Sequence, residues 1–101
     1  MRRACRKDAV HDELVMWHRH LGWDVVETYQ LGQYQPGFVD AIGRHPVSGT
    51  IVFLEFKSPG GRLTQDEQRF HAVWQGPIEV ERTVTDVMSI HAKYMPRNKG
   101  N

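Results

Sequence analysis

The stretch Ile51-Val52-Phe53-Leu54-Glu55-Phe56-Lys57 is the longest apolar run of the chain, and it carries two charged residues near its end. Alternate side chains of a β-strand share a face, so Glu55 and Lys57 are predicted to point the same way. A strand that buries Ile, Val, Phe and Leu normally excludes charge. The segment Pro36-Gly37-Phe38-Val39-Asp40 places another acid shortly before this strand. An acid on one strand, with an acid and a lysine on the next, is a candidate divalent-metal site.

Length and composition predict one globular domain over residues 1–101. The chain has 101 residues, of which 40% are hydrophobic and 25% charged, and its formal net charge is +1. These values are ordinary for a single domain with one modest core. The low net charge does not by itself indicate a nucleic-acid binder, although basic residues gather at both ends of the chain. Residues 1–7 and 96–101 are predicted to be flexible.

Cysteine content and hydropathy restrict the cellular setting. The single Cys5 excludes an intramolecular disulfide and a multi-cysteine metal site. No apolar segment approaches the roughly 20 residues needed to span a bilayer, and the basic start is not followed by a signal-like apolar region. We therefore expect a reducing, cytoplasmic location.

Apolar periodicity and turn residues predict the element order α-β-β-β-α-β-α. The predicted helices cover residues 8–20, 64–74 and 85–94, and the predicted strands cover residues 23–29, 37–43, 50–57 and 78–83. A turn over 44–49 joins the second and third strands in a hairpin, which brings Asp40 towards Glu55. This meander, followed by a helical crossover to a fourth strand, indicates an α/β fold with a mixed four-stranded sheet flanked by helices.

Side-chain patterns within these elements predict their caps and their buried faces. The expected caps are Asp8, Gly22, Thr64 in a capping box with Glu67, and Thr85. The side chains expected to face the core are Val10, Leu14, Trp17, Leu21, Trp23, Trp74, Ile78 and Val80. Glu79 and Glu81 are expected to face outward from the fourth strand.

The acids and the lysine of the second and third strands have the chemistry of a metal-dependent hydrolase. Mg²⁺ prefers oxygen ligands, which Asp40, Glu55 and the backbone carbonyl of Phe56 could supply. A bound cation polarises a phosphodiester, and Lys57 could hold the attacking water or stabilise charge on phosphorus. Glu13 could reach in from the first helix as a further ligand or base. The alternative is a solvated strand face, because one E-x-K match is a short pattern.

Pro36-Gly37 and Asp40, followed by Glu55-Phe56-Lys57 in this element order, resemble the PD-(D/E)XK nuclease superfamily. The run from Phe53 to Thr64, with Gln68 in the next helix, is similar to the VRR-NUC branch of that superfamily. The resemblance covers most of the chain, and it implies a restriction-endonuclease-like αβββαβ(α) core that cleaves DNA with Mg²⁺ or Mn²⁺.

By position, the resemblance implies a set of catalytic residues. Asp40 and Glu55 would bind the metal, and Lys57 would be the catalytic lysine. Glu13 would match the acidic residue of the first helix, and Gln68 would match the helix glutamine that packs near the site.

The chain departs from the family pattern in two places. Val39 stands directly before Asp40, where the superfamily name places proline, and this alters strand shape more than chemistry. The spacing from Thr64 to Gln68 is one residue longer than the expected form, which leaves Gln65 as a rival for the helix glutamine.

The resemblance also implies partners. Small stand-alone members of such families often act on branched DNA as homodimers, which implies a structure-selective endonuclease of replication, recombination or repair in a bacterial or phage-infected cell. The residues expected to contact DNA are Lys7, Arg44 and Arg62. A non-catalytic nucleic-acid-binding module on the same fold is the alternative.

The histidines suggest less. A zinc site on the first helix is disfavoured, because His18 and His20 diverge by about 200° around a helix. His71 either touches DNA or packs, and the sequence leaves both alternatives open.

Overall fold

The computed structural model describes residues 7–97, which form three α-helices, four strands and one 3-10 helix. The helices are α1 (His11–His20), α2 (Gln65–Val73) and α3 (Val84–Lys93). The strands are β1 (Asp24–Glu27), β2 (Ala41–Arg44), β3 (Ile51–Phe56) and β4 (Ile78–Glu81), and the 3-10 helix is Tyr29–Gln33. The predicted order of helices and strands is confirmed. The predictions for residues 1–6 and 98–101 lie outside the described residues.

The four strands form one mixed sheet in the order β1-β2-β3-β4. β2 pairs antiparallel with both β1 and β3, and β4 pairs parallel with β3 after the α2 crossover. The α/β class and the mixed four-stranded sheet are therefore confirmed. No helix within residues 7–97 is long and apolar enough to cross a membrane.

The hydrophobic core lies between one face of the sheet and the helices α1 and α3. Val52, Leu54 and Phe56 of β3 are fully buried in it, and they alternate with Phe53 and Glu55 on the opposite face. The other buried members of this core are Leu14, Val15, Trp23, Ala41, Val87 and Ile90. Because β3 is covered on both faces near its end, Glu55 is removed from water although it points away from this core.

The opposite face of the sheet is covered by α2 through a cluster of aromatic rings. The Trp74 ring stacks on Phe53 with centroids 4.2 Å apart, and the Phe70 ring lies 5.3 Å from that of Phe38. Trp74 remains 38% exposed, so the prediction that it belongs to the core is wrong, because this second layer is one helix thick. These ring contacts fix α2 over the end of β3.

The buried face of α1 differs from the predicted stripe. Val10, Trp17 and Leu21 only border the core, whereas His11 and His18 are fully buried. A histidine can be buried where its ring nitrogen has a partner, and Nε2 of His18 lies 2.7 Å from a carboxylate oxygen of Glu81.

The same ion pair overturns the prediction that Glu81 faces outward, since Glu81 has no exposed surface. Glu79 also turns towards α3, where its Oε2 accepts hydrogen bonds from the Tyr94 hydroxyl at 2.5 Å and Lys93 Nζ at 2.6 Å. An apolar-inward rule fails on β4 because α1 and α3 offer partners to both acids.

Two of the predicted caps are wrong and two are confirmed. α1 starts after Val10, without a side-chain cap, and the Asp8 carboxylate accepts a hydrogen bond from Ser58 at 3.3 Å instead. α3 is capped by Thr83 in a capping box with Asp86, so Thr85 lies inside the helix. The confirmed caps are Gly22, with φ of 95°, and the Thr64–Glu67 capping box.

Candidate active site

Asp40 and Glu55 meet at the end of the sheet where β2 begins and β3 finishes. The Asp40 amide donates to the Leu54 carbonyl at 3.1 Å, so the chain before β2 is still bonded to β3. Asp40 Oδ2 accepts a hydrogen bond from the Phe56 amide at 2.7 Å. The carboxyl groups of Asp40 and Glu55 are hydrogen-bonded neighbours. The hairpin therefore brings together the two acids as predicted.

Burial controls the ionisation of this pair of acids. Desolvation raises the pKa of Glu55 far above its usual range, and the hydrogen bond and negative charge of Asp40 raise it further. Desolvation also raises the pKa of Asp40, although its hydrogen bonds from Glu55 and the Phe56 amide oppose that rise. Two adjacent buried carboxyl groups disfavour two negative charges, and a bound cation would favour the ionised form of both.

The carbonyl of Phe56 faces the same edge. In an extended strand the N–H and C=O of one residue point to the same side, and the Phe56 amide points to Asp40. The next amide, that of Lys57, donates instead to the Glu81 carbonyl of β4 at 3.0 Å. Asp40, Glu55 and the Phe56 carbonyl therefore offer oxygen atoms towards one place, and this set suits a hard divalent cation.

Lys57 shares a face with Glu55, as predicted, and its ammonium is held by Glu67. Lys57 Nζ lies 2.7 Å from Glu67 Oε1, with 11% and 15% of the two side chains exposed. Burial alone would lower the pKa of Lys57, but the hydrogen bond and charge of Glu67 outweigh it and raise that pKa. Burial alone would raise the pKa of Glu67, but Lys57 and the Thr64 amide lower it. Both groups are therefore charged at neutral pH.

The sequence identified Glu67 only as the partner of Thr64 in a capping box. The capping box is present, and the same Oε1 atom accepts the Thr64 amide at 2.7 Å. A capping residue at the third position of a helix lies near the segment that leads into that helix. Here that segment comes directly from Lys57, so the capping residue lies near the site. The capping pattern was thus the available signal for a third carboxylate at the site.

His71 lies one turn further along α2 and also reaches the site. Its Nε2 is 3.6 Å from Glu55 Oε1, and neither atom has a hydrogen-bond partner within residues 7–97. Desolvation lowers the pKa of His71, and the positive charge of Lys57 adds to this effect although Glu67 opposes it. His71 therefore packs against Glu55, and its contact with DNA stays a prediction.

Glu13 and Gln68 are not brought into this cluster. Glu13 is exposed on α1, and His11 is the α1 side chain whose charge acts on Asp40. Gln68 is also exposed, and its amide donates to the Leu63 carbonyl at 3.0 Å. Its rival Gln65 is exposed at the start of α2. Glu67, the residue directly before Gln68, faces the site instead.

A second group of possible metal ligands lies on the core side, where His11, Asp12 and Glu27 come together. His11 Nε2 already contacts Glu27 Oε1 at 2.9 Å, and Asp12 is paired with Lys7 at 3.0 Å. The edge of the His11 ring also packs on Phe56, with centroids 4.9 Å apart. Each of the three side chains therefore already has a partner within the chain.

The basic residues predicted to contact DNA lie at different ends of the sheet. Arg62 is exposed just after the glycine-rich break that follows Lys57. Lys7 is near the same end, with its ammonium 5.0 Å from the centre of the Tyr29 ring. Arg44 ends β2 at the far end, about 13 Å along the strand from Asp40. Of the three residues predicted to contact DNA, Arg62 and Lys7 lie at the end of the sheet that carries the acids, and Arg44 does not.

Comparisons with protein-family models, with curated proteins and with solved structures found no match to this chain.

Proposed function

We propose that this protein is a metal-dependent DNA endonuclease with a restriction-endonuclease-like core, similar to the VRR-NUC branch of the PD-(D/E)XK superfamily. The observation that carries the proposal is the contact between the Asp40 and Glu55 carboxyl groups at a buried sheet end, with Lys57 on the same face. A purely structural role gives no reason to desolvate two adjacent acids, which costs stability.

The residues have separate tasks in this proposal. Asp40, Glu55 and the Phe56 carbonyl would hold Mg²⁺ or Mn²⁺, which when bound polarises the phosphodiester and lowers the pKa of a water molecule. Lys57 remains charged beside Glu67, so it can donate hydrogen bonds to the phosphate oxygens and stabilise the charge that grows there. Fixing Lys57 through α2 positions this charge before the substrate binds.

Branched DNA and a homodimer are the partners that we propose. One such site cleaves one strand, so paired cuts on a junction need two copies of the chain. A domain of 101 residues also offers little surface for a branched substrate on its own. The mass of the protein in solution tests the dimer separately, and a monomer at assay concentration would exclude that part of the proposal.

A non-catalytic DNA-binding module is the second candidate. It is favoured by one observation, which is that Glu55 and Lys57 are only 1% and 9% exposed. In that case the Lys57–Glu67 ion pair would serve the stability of the fold, and the acids would bind no substrate.

A cleavage assay separates the two candidates. Duplex, flap and four-way-junction DNA would be incubated with Mg²⁺, Mn²⁺ or EDTA and with the wild type or Lys57→Ala. Lys93→Ala is the matched control, because Lys93 is an exposed lysine of α3 that also pairs with a glutamate, Glu79 of β4. Metal-dependent cleavage that Lys57→Ala loses and Lys93→Ala keeps would support the nuclease. DNA binding without cleavage in either metal would instead support the binding module.

A further inference from the structure

Two buried polar atoms face each other at the candidate site without a hydrogen bond. Glu55 Oε1 and His71 Nε2 are 3.6 Å apart, and neither has a hydrogen-bond partner within residues 7–97. The distance is too long for a hydrogen bond, and leaving both atoms unsatisfied costs free energy. A third group that binds both atoms would remove this cost.

The separation of these atoms fits two ligands of one cation. Ligand atoms at about 2.1 Å from a metal are about 3.0 Å apart at octahedral angles and about 3.4 Å apart at tetrahedral angles. The observed 3.6 Å lies close to that range, so a small side-chain adjustment would bring both atoms into one coordination shell.

α2 holds the His71 ring where such a ligand is needed. Phe70, the preceding residue, lies parallel to the Phe53 ring and makes an edge contact with Phe38, and these contacts fix the rotation of the helix. Glu67, one turn before His71, anchors the same helix to Lys57. The imidazole therefore reaches Glu55 from a rigid element, which is the arrangement expected of a metal ligand.

We propose that His71 supplies a nitrogen ligand to the cation that Glu55 binds, so that the centre prefers Mn²⁺ to Mg²⁺. The inference rests on the proposed nuclease function and specifies its cofactor. Mg²⁺ takes oxygen ligands almost exclusively, whereas first-row transition cations bind imidazole readily. A mixed set of carboxylate, carbonyl and imidazole groups therefore favours the transition cation.

Pulsed electron paramagnetic resonance of Mn²⁺ bound to the full chain tests this inference without any cleavage measurement. We expect the wild type to show a nitrogen coupling that changes when the histidines carry ¹⁵N. His71→Ala, which leaves no atom that could replace the ligand, should lose this coupling. His20→Ala is the matched control, because His20 is exposed on α1, and it should keep the coupling.

Calorimetric titration gives the second readout. His71→Ala should weaken Mn²⁺ binding by about tenfold or more and change Mg²⁺ binding by less than about twofold. Thermal melting of each variant checks that it is folded, and the isotope effect in the wild type stands even if His71→Ala does not fold.

The outcomes distinguish this inference from the function on which it rests. Mn²⁺ that binds without nitrogen coupling overturns the role of His71 and leaves the nuclease proposal standing. Coupling that persists in His71→Ala assigns the nitrogen to another histidine and also overturns the inference. A wild type that binds neither Mn²⁺ nor Mg²⁺ overturns the inference and the metal-dependent nuclease together.

Discussion

Glu67 Oε1 lies 2.7 Å from Lys57 Nζ and 2.7 Å from the backbone amide of Thr64, so one oxygen atom caps α2 and holds the lysine of β3. The start of the helix and the position of the lysine are therefore linked. Removing this carboxylate would leave both the Lys57 ammonium and the Thr64 backbone amide without their acceptor. A glutamine side chain in its place would still accept a hydrogen bond.

We expect Glu67→Gln and Glu67→Ala to differ for this reason. Glutamine still completes a capping box and accepts a bond from Lys57, but it no longer offsets the charge of that lysine, so it should cost about 1 kcal/mol of unfolding free energy. Alanine loses the cap and the ion-pair partner and should cost about 2 kcal/mol. Urea unfolding measures both values, and equal losses would show that the shared oxygen does not stabilise the helix.

The contact between Glu67 and Lys57 also marks what the sequence could and could not predict. The capping box follows from local spacing, and alternation along β3 puts Glu55 and Lys57 on one face. These are local rules, and they succeeded. Which face of α2 turns towards the sheet depends on how the helix crosses from β3 to β4, and local spacing carries no information on that crossing. For the same reason, the sequence did not predict that His71 contacts Glu55.

The conformation of Gly37 predicts a second effect at the same helix. Gly37 has φ of 85°, and a Cβ atom built there would lie 2.2 Å from the carbonyl oxygen of Asp66 in α2. Gly60 has φ of 84° with no atom within 4 Å of its Cβ position, so it is a matched control. Gly60→Ala should cost about 1 kcal/mol for backbone strain alone, and Gly37→Ala about 3 kcal/mol because α2 must also move.

Chemical denaturation and near-ultraviolet circular dichroism check this pair of variants. Displacement of α2 in Gly37→Ala should alter the signal of the stacked Phe53 and Trp74 rings, and Gly60→Ala should leave it unchanged. Equal destabilisation by the two substitutions would mean that α2 is not packed against Gly37 in solution.

The buried pair of His18 and Glu81 predicts a strong coupling between α1 and β4. Both side chains have no exposed surface, and their atoms are 2.7 Å apart. Glu81→Leu or His18→Leu alone should cost about 3 kcal/mol, because each leaves a buried polar group without its partner. The double variant should recover most of that loss, since leucines fill the space without any polar group.

A double-mutant cycle from urea unfolding measures this coupling. Simple addition of the two single losses in the double variant would contradict it. The pair also shows why hydrophobic patterns failed on α1 and β4, since a histidine and a glutamate that satisfy each other can replace two apolar residues. A hydrophobic pattern treats the histidine and the glutamate separately, and it therefore predicts that each polar side chain lies at the surface.

The hydrogen bond from Trp23 Nε1 to His91 Nδ1, at 3.0 Å, predicts loss of stability in mild acid. Desolvation, together with the charges of His45 and His18, lowers the pKa of His91 below the 6.5 of the unfolded chain. The unfolded state therefore binds more protons below pH 6.5, so the contribution of His91 is complete above that pH and falls as the pH drops towards its folded pKa. Burial raises the pKa of Glu81, which acts in the opposite direction, so the readout is the difference between variants.

The variant His91→Gln tests this prediction, because its amide oxygen can accept the Trp23 bond at any pH. Between pH 7 and 5, its melting temperature should fall less than that of the wild type and of the exposed control His20→Gln. Parallel curves for all three proteins would show that protonation of His91 does not control the Trp23 contact.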